Sequence, residues 1–283
     1  IVDVSARNQV SDFDGDKKTD ISTFSPASGN WNFETSSNNT NTQVNFGLAG
    51  DKIAPGDYDG DGKTDLAIFR PSTGTWWVRR TTNPSNYLAV QFGSNGDVPV
   101  AGDYDGDGKT DVAVWRPSTG VWYIQQSTGG IRILQWGLNG DKAFNGDFDA
   151  DGKADLTIYR NGIWYILQSK DGSALIRQFG IATDKPLNGN FDGDEKTDIA
   201  VYRPSEGNWY ILKSSNGSFA VIHFGIAEDV PVPADYDGDE MADFAVFRPS
   251  ENVWYRLNSS NGAFSTKVFG QTGDIPAPAS VQP

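Results

Sequence analysis

The nine-residue stretch Asp103-Tyr-Asp-Gly-Asp-Gly-Lys-Thr-Asp111 returns six times in this 283-residue chain, and that recurrence limits the fold more than any other feature. The copies begin at Asp12, Asp57, Asp103, Asp147, Asn190 and Asp235, at spacings of 45, 46, 44, 43 and 45 residues. A fixed period of this length marks a repeat architecture, in which units too small to bury a core alone stack on their neighbours. Length by itself suggests two domains. The repeat predicts instead a single body built over residues 1–283.

Each stretch places oxygen ligands at positions 1, 3, 5 and 9. A hard divalent cation takes six to eight oxygens at roughly 2.3–2.6 Å, and a coiled loop can turn side chains 1, 3 and 5 and the backbone carbonyl of 7 toward one point. Asp at position 9 closes the set, where an EF-hand uses water at 9 and Glu at 12. Position 12 here is Val114 and the flanks carry no helical pattern, so this is not an EF-hand. The candidate ligands of the first loop are Asp12, Asp14, Asp16, Lys18 and Asp20, and those of the second Asp57, Asp59, Asp61, Lys63 and Asp65. The third loop offers Asp103, Asp105, Asp107, Lys109 and Asp111, and the fourth Asp147, Asp149, Asp151, Lys153 and Asp155. The fifth offers Asn190, Asp192, Asp194, Lys196 and Asp198, and the sixth Asp235, Asp237, Asp239, Met241 and Asp243. One such loop reads equally well as an Asp-Gly turn; six with the same four positions do not. All-oxygen ligands on flexible loops favour calcium over magnesium, which demands near-octahedral geometry. About six Ca2+ per chain are therefore expected.

The net charge of −14 argues against general nucleic-acid binding. The acidity is concentrated, since loop positions 1, 3, 5 and 9 hold 23 of the 37 acidic residues. Six divalent cations would bring the net charge to about −2. Cysteine is absent, which excludes disulfides and thiol chemistry. No apolar run reaches 18 residues, so no membrane-spanning helix is expected. The chain opens on Ile1 with no leader-like segment, as expected of a chain whose leader has been removed or of an excised piece.

Between loops the pattern is all β. In the repeat from Phe92 to Trp136, Val98-Pro-Val100 runs into the loop, and Asp111-Val-Ala-Val-Trp115-Arg116 leaves it. Pro117-Ser-Thr-Gly120 turns the chain into Val121–Gln125, and Ser127-Thr-Gly-Gly130 turns it again into Ile131–Trp136. Four short strands per period predict a four-stranded antiparallel propeller blade. The fold class is thus all-β, a six-bladed β-propeller, with seven blades as the alternative. The spare first-strand segment Asp274–Ser280, or Ile1 to Ser5, can complete the ring.

The punctuation repeats as well. An aromatic residue precedes Gly at Phe46, Phe92, Trp136, Phe179, Phe224 and Phe269, and Asp follows that Gly by four at Asp51, Asp97, Asp141, Asp184, Asp229 and Asp274. Third strands carry Trp31, Trp76, Trp122, Trp164, Trp209 and Trp254, which read as packing between blades. Arg70, Arg116, Arg160, Arg203 and Arg248 end the second strands and read as partners of a nearby Asp, with Ser25 in the first repeat. His223, the single histidine, reads as an ordinary strand residue.

The pattern Phe92-Gly93, Gly102-Asp103-Tyr-Asp-Gly-Asp-Gly108, Asp111-Val-Ala-Val and Pro117 resembles the FG-GAP repeat, in particular the bacterial variety labelled VCBS repeat, and is similar to the repeats of the integrin α-subunit propeller. The resemblance implies a calcium-binding propeller whose Asp-rich loop joins the first two strands of a blade, and a secreted or cell-surface protein that binds a ligand or another protein. Asn190 departs from it by losing a charge, Ala150 by replacing the Gly at position 4, and Lys17, Glu195 and Glu240 by replacing the Gly at position 6. The integrin-type ring usually has seven blades.

The functional expectation is a secreted, non-catalytic calcium-binding module for adhesion or for binding a glycan or a protein partner, with neither nucleic acid nor membrane insertion involved. Trp77, Tyr123, Tyr165, Tyr210 and Tyr255 either reach such a ligand or are buried between blades. A structural, self-assembling surface protein joined through its terminal strands is the alternative. An enzyme acting on polysaccharides would need a free pair of carboxylates, and no unique polar cluster breaks the repeat.

Overall fold

The computed structural model describes residues 11–277. They form six four-stranded antiparallel sheets and, among the described residues, no helix. Blade 3 is representative: an inner strand Val98–Pro99, a second Val112–Arg116, a third Val121–Gln125 and an outer Ile131–Gln135. The inner strand runs into the Asp-rich loop. The third-to-outer turn lies at that same end of the blade, while the second-to-third turn and the connector to the next blade lie at the other.

Six blades close the ring, so the seven-bladed alternative does not apply. Closure uses the spare segment: Ile275–Pro276 pairs antiparallel with Ile21–Ser25 and becomes the inner strand of blade 1. Ile1 to Ser5, the other candidate for this role, lies outside the described residues.

The core lies between blades. Six apolar clusters each straddle one seam; that between blades 2 and 3 joins Ala67, Phe69, Trp76 and Val78 to Val112 and Val114. All six third-strand Trp residues are fully buried. Each pairs across the ladder with an aromatic residue of the second strand, as in Phe69↔Trp76 and Trp115↔Trp122. Cross-strand aromatic pairs of this kind contribute about 0.5–1.5 kcal/mol beyond their burial. Each indole N–H also donates to the carbonyl of the aromatic residue before Gly, at 2.9 Å for Trp76 to Phe92. The Phe-Gly motif is thus the acceptor that lets a Trp be buried without an orphaned N–H.

At the connector end, the second-strand Arg residues form two-pronged ion pairs with the Asp that opens their own blade. Arg70 reaches Asp51 at 2.8 and 2.7 Å, and the pattern repeats at Arg116–Asp97, Arg160–Asp141, Arg203–Asp184 and Arg248–Asp229. In blade 1, Ser25 and Thr23 donate hydroxyls to Asp274 instead. Trp77, Tyr123, Tyr165, Tyr210 and Tyr255 stack on these guanidinium groups, 4.5 Å from ring centre to carbon for Tyr123. They also pack half-buried against the preceding blade's cluster. Of the two fates open to these aromatics, burial between blades is the one the fold uses. His223 is exposed on an outer strand, with Nδ1 2.9 Å from Asn208 Oδ1.

Three lysines add ties at the same end. The ammonium groups of Lys52 and Lys185 each donate to a backbone carbonyl of the next blade, at Asp97 and Asp229, at 3.1 Å, and Lys142 does so to Asp184 at 3.5 Å.

Candidate metal centres

Each loop is organised by its first and ninth residues. In loop 3 the carboxylate of Asp103 accepts the N–H of Gly106 at 2.6 Å and of Gly108 at 2.9 Å, which coils the chain around it. To make that coil the backbone enters the left-handed region at positions 4 and 6 of every loop. Gly fits without strain, yet Lys17 (φ 70°), Ala150 (59°), Glu195 (72°) and Glu240 (68°) adopt the same conformation. The four departures from the Gly pattern are therefore accommodated by strain and not by a different loop. Side-chain space is open at position 6: a Cβ on Gly108 would meet nothing within 4 Å. Gly108→Ala is expected to cost about 1 kcal/mol from backbone strain alone. Gly74→Ala in the second-to-third turn should cost several times more, because its Cβ would lie 2.2 Å from the Gly93 carbonyl oxygen. Comparing the two melting curves with wild type checks this; equal shifts would rule it out.

The ninth residue ties three segments together. Asp111 is 1% exposed; one oxygen accepts the Tyr104 N–H at 2.9 Å and the other the Ser127 N–H at 2.7 Å. The equivalent pairs of bonds recur at Asp20, Asp65, Asp155, Asp198 and Asp243. Burial raises the carboxyl pKa of Asp20, Asp65 and Asp111 to about 6 and that of Asp155 to about 7, with the position-3 carboxylate adding repulsion and the N–H bonds opposing the rise. Asp198 and Asp243 shift the same way, as do the first-position residues Asp12, Asp57, Asp103, Asp147 and Asp235, burial again being the main cause.

In the first four loops three of the four expected carboxylates come together, without Asp16, Asp65, Asp107 and Asp151, and in the fifth loop all three do. Ligand oxygens lie within 4.8 Å of one another in Asp12, Asp14 and Asp20; in Asp57, Asp59 and Asp61; in Asp103, Asp105 and Asp111; in Asp147, Asp149 and Asp155; and in Asp192, Asp194 and Asp198. The backbone N–H of position 7 donates to the position-5 carboxylate in all six loops, from Lys18, Lys63, Lys109, Lys153, Lys196 and Met241 at 2.9–3.0 Å. Asn190 keeps the position-4 bond, from Gly193 at 2.7 Å, through its one amide oxygen.

Two sets of residues escaped the sequence reading. The first is a hydroxyl pair in the third-to-outer turn. Ser127 donates to Asp107 at 2.8 Å and Thr128 to Asp105, as do Ser36–Ser37, Thr81–Thr82, Ser214–Ser215 and Ser259–Ser260 in their blades. The signal was present as a Ser/Thr residue 16 positions after the ninth Asp in five repeats, and 14 in the fourth. The second is a belt joining the loops. The N–H of position 8 donates to the position-1 carbonyl of the preceding loop: Thr64 to Asp12, Thr110 to Asp57, Ala154 to Asp103, Thr197 to Asp147 and Ala242 to Asn190, each at 2.6 Å. Thr19 to Asp235 at 2.7 Å closes the circle. Along it, the stems of Lys63, Lys109, Lys153 and Lys18 lie against the position-4 Gly of the preceding loop.

The donor chemistry suits a hard cation. Oδ1 of Asp59, Asp192 and Asp237, all at position 3, is buried and has no hydrogen-bond partner. A buried carboxylate oxygen left unpaired is costly, and a cation within the coil removes that cost.

The FG-GAP-like repeat family matches residues 57–114 and 103–158, the second to fourth loops and their strands. Residues 57–158 thus carry FG-GAP-like repeats. Comparison with curated protein sequences finds no match. Among solved structures, a streptogramin B lyase superposes with a TM-score of 0.59 at 8% identity, covering 97% of this chain and 93% of the lyase. An Agrocybe aegerita lectin studied for specific recognition of non-reducing terminal N-acetylglucosamine superposes at 0.57 with 14% identity, covering 94% and 77%. A virginiamycin B lyase from Staphylococcus aureus gives 0.55 at 9% identity, covering 94% and 89%. At these identities the likeness is one of fold.

Proposed function

We propose that this FG-GAP-like propeller is a secreted, calcium-loaded, non-catalytic binding module whose ligand is a glycan or a protein. The observation that carries the reading is the unpartnered buried oxygen of Asp59, Asp192 and Asp237 inside loops already coiled by their first and ninth residues. The carboxylates at positions 1, 3, 5 and 9 and the carbonyl at 7 would hold the ion, with Asn190 supplying an amide oxygen in the fifth loop. Calcium would supply charge neutralisation that stiffens a scaffold, and loops fixed on rigid scaffolds are where binding residues are placed. Millimolar calcium outside cells suffices for sites as weak as about 10⁻⁴–10⁻³ M. The lectin neighbour supports a glycan as ligand at the level of fold, while the lyase neighbours make an enzymatic role the competing reading.

Elemental analysis after dialysis against millimolar calcium is expected to find about six equivalents, and fewer than four would overturn the metal assignment. Screening the loaded protein on immobilised glycans and extracellular proteins should find a saturable ligand, with no product released from polysaccharides. Product release would replace the binding role with a catalytic one. Self-assembly through the terminal strand is less favoured, because Ile275–Pro276 is already paired within its own chain. A larger species on sizing in calcium would restore that alternative.

A further inference from the structure

One seam of the ring is built differently from the other five, and its polar cluster breaks a repeat that reads as unbroken in the sequence. At the third-strand position two residues after the core Trp, blades 2 to 5 carry Val78, Ile124, Ile166 and Ile211, each 0–1% exposed. Blade 6 carries Arg256 there. Its outer strand places Lys267 where blades 1, 2, 3 and 5 have Val44, Val90, Leu134 and Ile222. Across the seam, blade 1 answers with Thr23 at the second-strand position held by Ile68, Val114, Ile158, Val201 and Val246 in the other blades, and with a buried Glu34. Only Ile21 of blade 1 joins the apolar cluster at this seam.

The result is a polar cleft of about 170 Å3 at the loop end of the seam, lined by Lys18, Thr19, Glu34, Ser36, Tyr236 and Arg256 among others. The cleft at the equivalent place between blades 3 and 4 is smaller, about 80 Å3, and mixed, with Leu134, Leu156 and Leu167 beside Arg132, Gln168 and Ser169. Glu34 is matched by Lys267 at 2.7 Å. Arg256 lies 5.4 Å from the Tyr236 ring centre, and its Nε is buried with no hydrogen-bond partner. Thr19 is 2% exposed, and its hydroxyl is likewise unpartnered. Neither Arg256 nor Lys18 forms an ion pair among the described residues. A guanidinium with donors to spare, a second cation beside it, an orphaned hydroxyl and a ring face describe a site for something anionic and hydroxylated.

We propose that the cleft between blades 6 and 1 binds one acidic sugar residue, its carboxylate on the Arg256 guanidinium and its hydroxyls on Thr19 and Glu34. The planar guanidinium fork matches a carboxylate. A cavity of about 150 Å3 admits a single six-membered ring, so the cleft takes one sugar unit and not an oligomer. This deepens the binding-module reading and rests on it. It also explains why a charged residue stands where four blades place a buried aliphatic one.

The test is titration of the full-length, calcium-loaded chain, followed by NMR or calorimetry, with glucuronic acid, its methyl ester, glucose, acetate and sulfate as separate probes. Glucuronic acid should bind saturably and at least tenfold more tightly than any other probe. Arg256→Ile restores the residue that the repeat uses, so it should melt no lower than wild type while losing at least tenfold in affinity. Thr19→Val, which keeps shape and loses the hydroxyl, should weaken binding several-fold and covers the case in which Arg256→Ile folds poorly. Equal binding of glucose or the methyl ester would overturn carboxylate recognition. Equal binding of acetate or sulfate would reduce the site to a simple anion hole and overturn the sugar assignment. Absence of saturable binding would overturn the site outright. Binding unchanged in Arg256→Ile would place the sugar elsewhere, overturning this site while leaving the binding-module reading intact.

Discussion

Removing calcium is expected to lower the melting temperature by well over ten degrees. Without the ion each loop holds three or four carboxylates within a few ångströms, and they relax only by taking up protons or by opening. On the proposed reading calcium would bind the coiled loop far better than the unfolded chain, so each site would add RT ln(1 + [L]/Kd). At free calcium tenfold above Kd that is about 1.4 kcal/mol per site, so six independent sites contribute roughly 8 kcal/mol, comparable to a whole domain's stability. For a chain of this size about 1 kcal/mol moves the midpoint by roughly 2–4 °C. The fifth loop, with Asn190 in place of a carboxylate, should release its ion first. The metal-free protein should also respond to pH in a characteristic direction. The folded pKa of Asp20, Asp65 and Asp111 is about 6, above the value for an unfolded Asp. Their contribution is thus full below the unfolded pKa and lost as pH rises through about 6. Metal-free protein in metal-free buffer should therefore melt higher at pH 5 than at pH 8, while the gain from added calcium shrinks at the lower pH. A melting curve unmoved after confirmed metal loss would mean that these loops are Asp-rich turns and nothing more.

Asp111→Ala should be far more damaging than Asp105→Ala, although both remove one proposed ligand from the same site. Asp105 is half-buried, and its alanine variant loses the Thr128 hydroxyl bond, two long 3.3 Å bonds from the Asp107 and Thr128 N–H groups, and the ion, for a cost near that of one calcium site. Asp111 is buried and holds the N–H groups of Tyr104 and Ser127. Truncation leaves the buried Tyr104 N–H and the part-buried Ser127 N–H without their acceptor, at about 1–3 kcal/mol for the first and less for the second, in addition to the lost ion. Asp111→Ala is thus expected to cost roughly 3–6 kcal/mol and to remain destabilised in chelator, where Asp105→Ala and wild type should converge. If the two variants still matched in chelator, position 9 would be a metal ligand with no separate architectural role.

The fold was legible because its signals are local and repeated. Trp at the same point of every third strand, an aromatic residue and Gly before every connector and Asp four residues on are each explained by a contact inside one blade or to the next. The Arg partners were legible for the same reason. The hydroxyl pairs were not, because Ser and Thr in a turn are common enough to pass as turn formers, and their link to the loop Asp residues spans about twenty residues. The belt left no trace, since it joins backbone to backbone and any residue with an N–H can serve at position 8; Thr and Ala both do. Arg256 was in plain view, but without the alternation of each strand assigned to a face, an Arg after Trp254-Tyr255 reads as a surface charge.

The two ends of the blades are not tied alike. At the loop end the hydrogen-bonded belt runs through all six blades without a break. At the connector end the ammonium groups of Lys52, Lys142 and Lys185 reach across, binding blade 2 to 3, 4 to 5 and 5 to 6, and the Trp136 indole N–H donates to the Tyr165 carbonyl at 3.3 Å between blades 3 and 4. The residues at the corresponding places are Val98, Val230 and Ile275, which carry no donor, so blade 1 has no such stitch on either side. The molecule is a cup cinched tight at its base and sewn at four of the six seams of its lip. Any widening that spares the base must occur at the lip, and it begins beside the blade where the chain's first and last described strands meet.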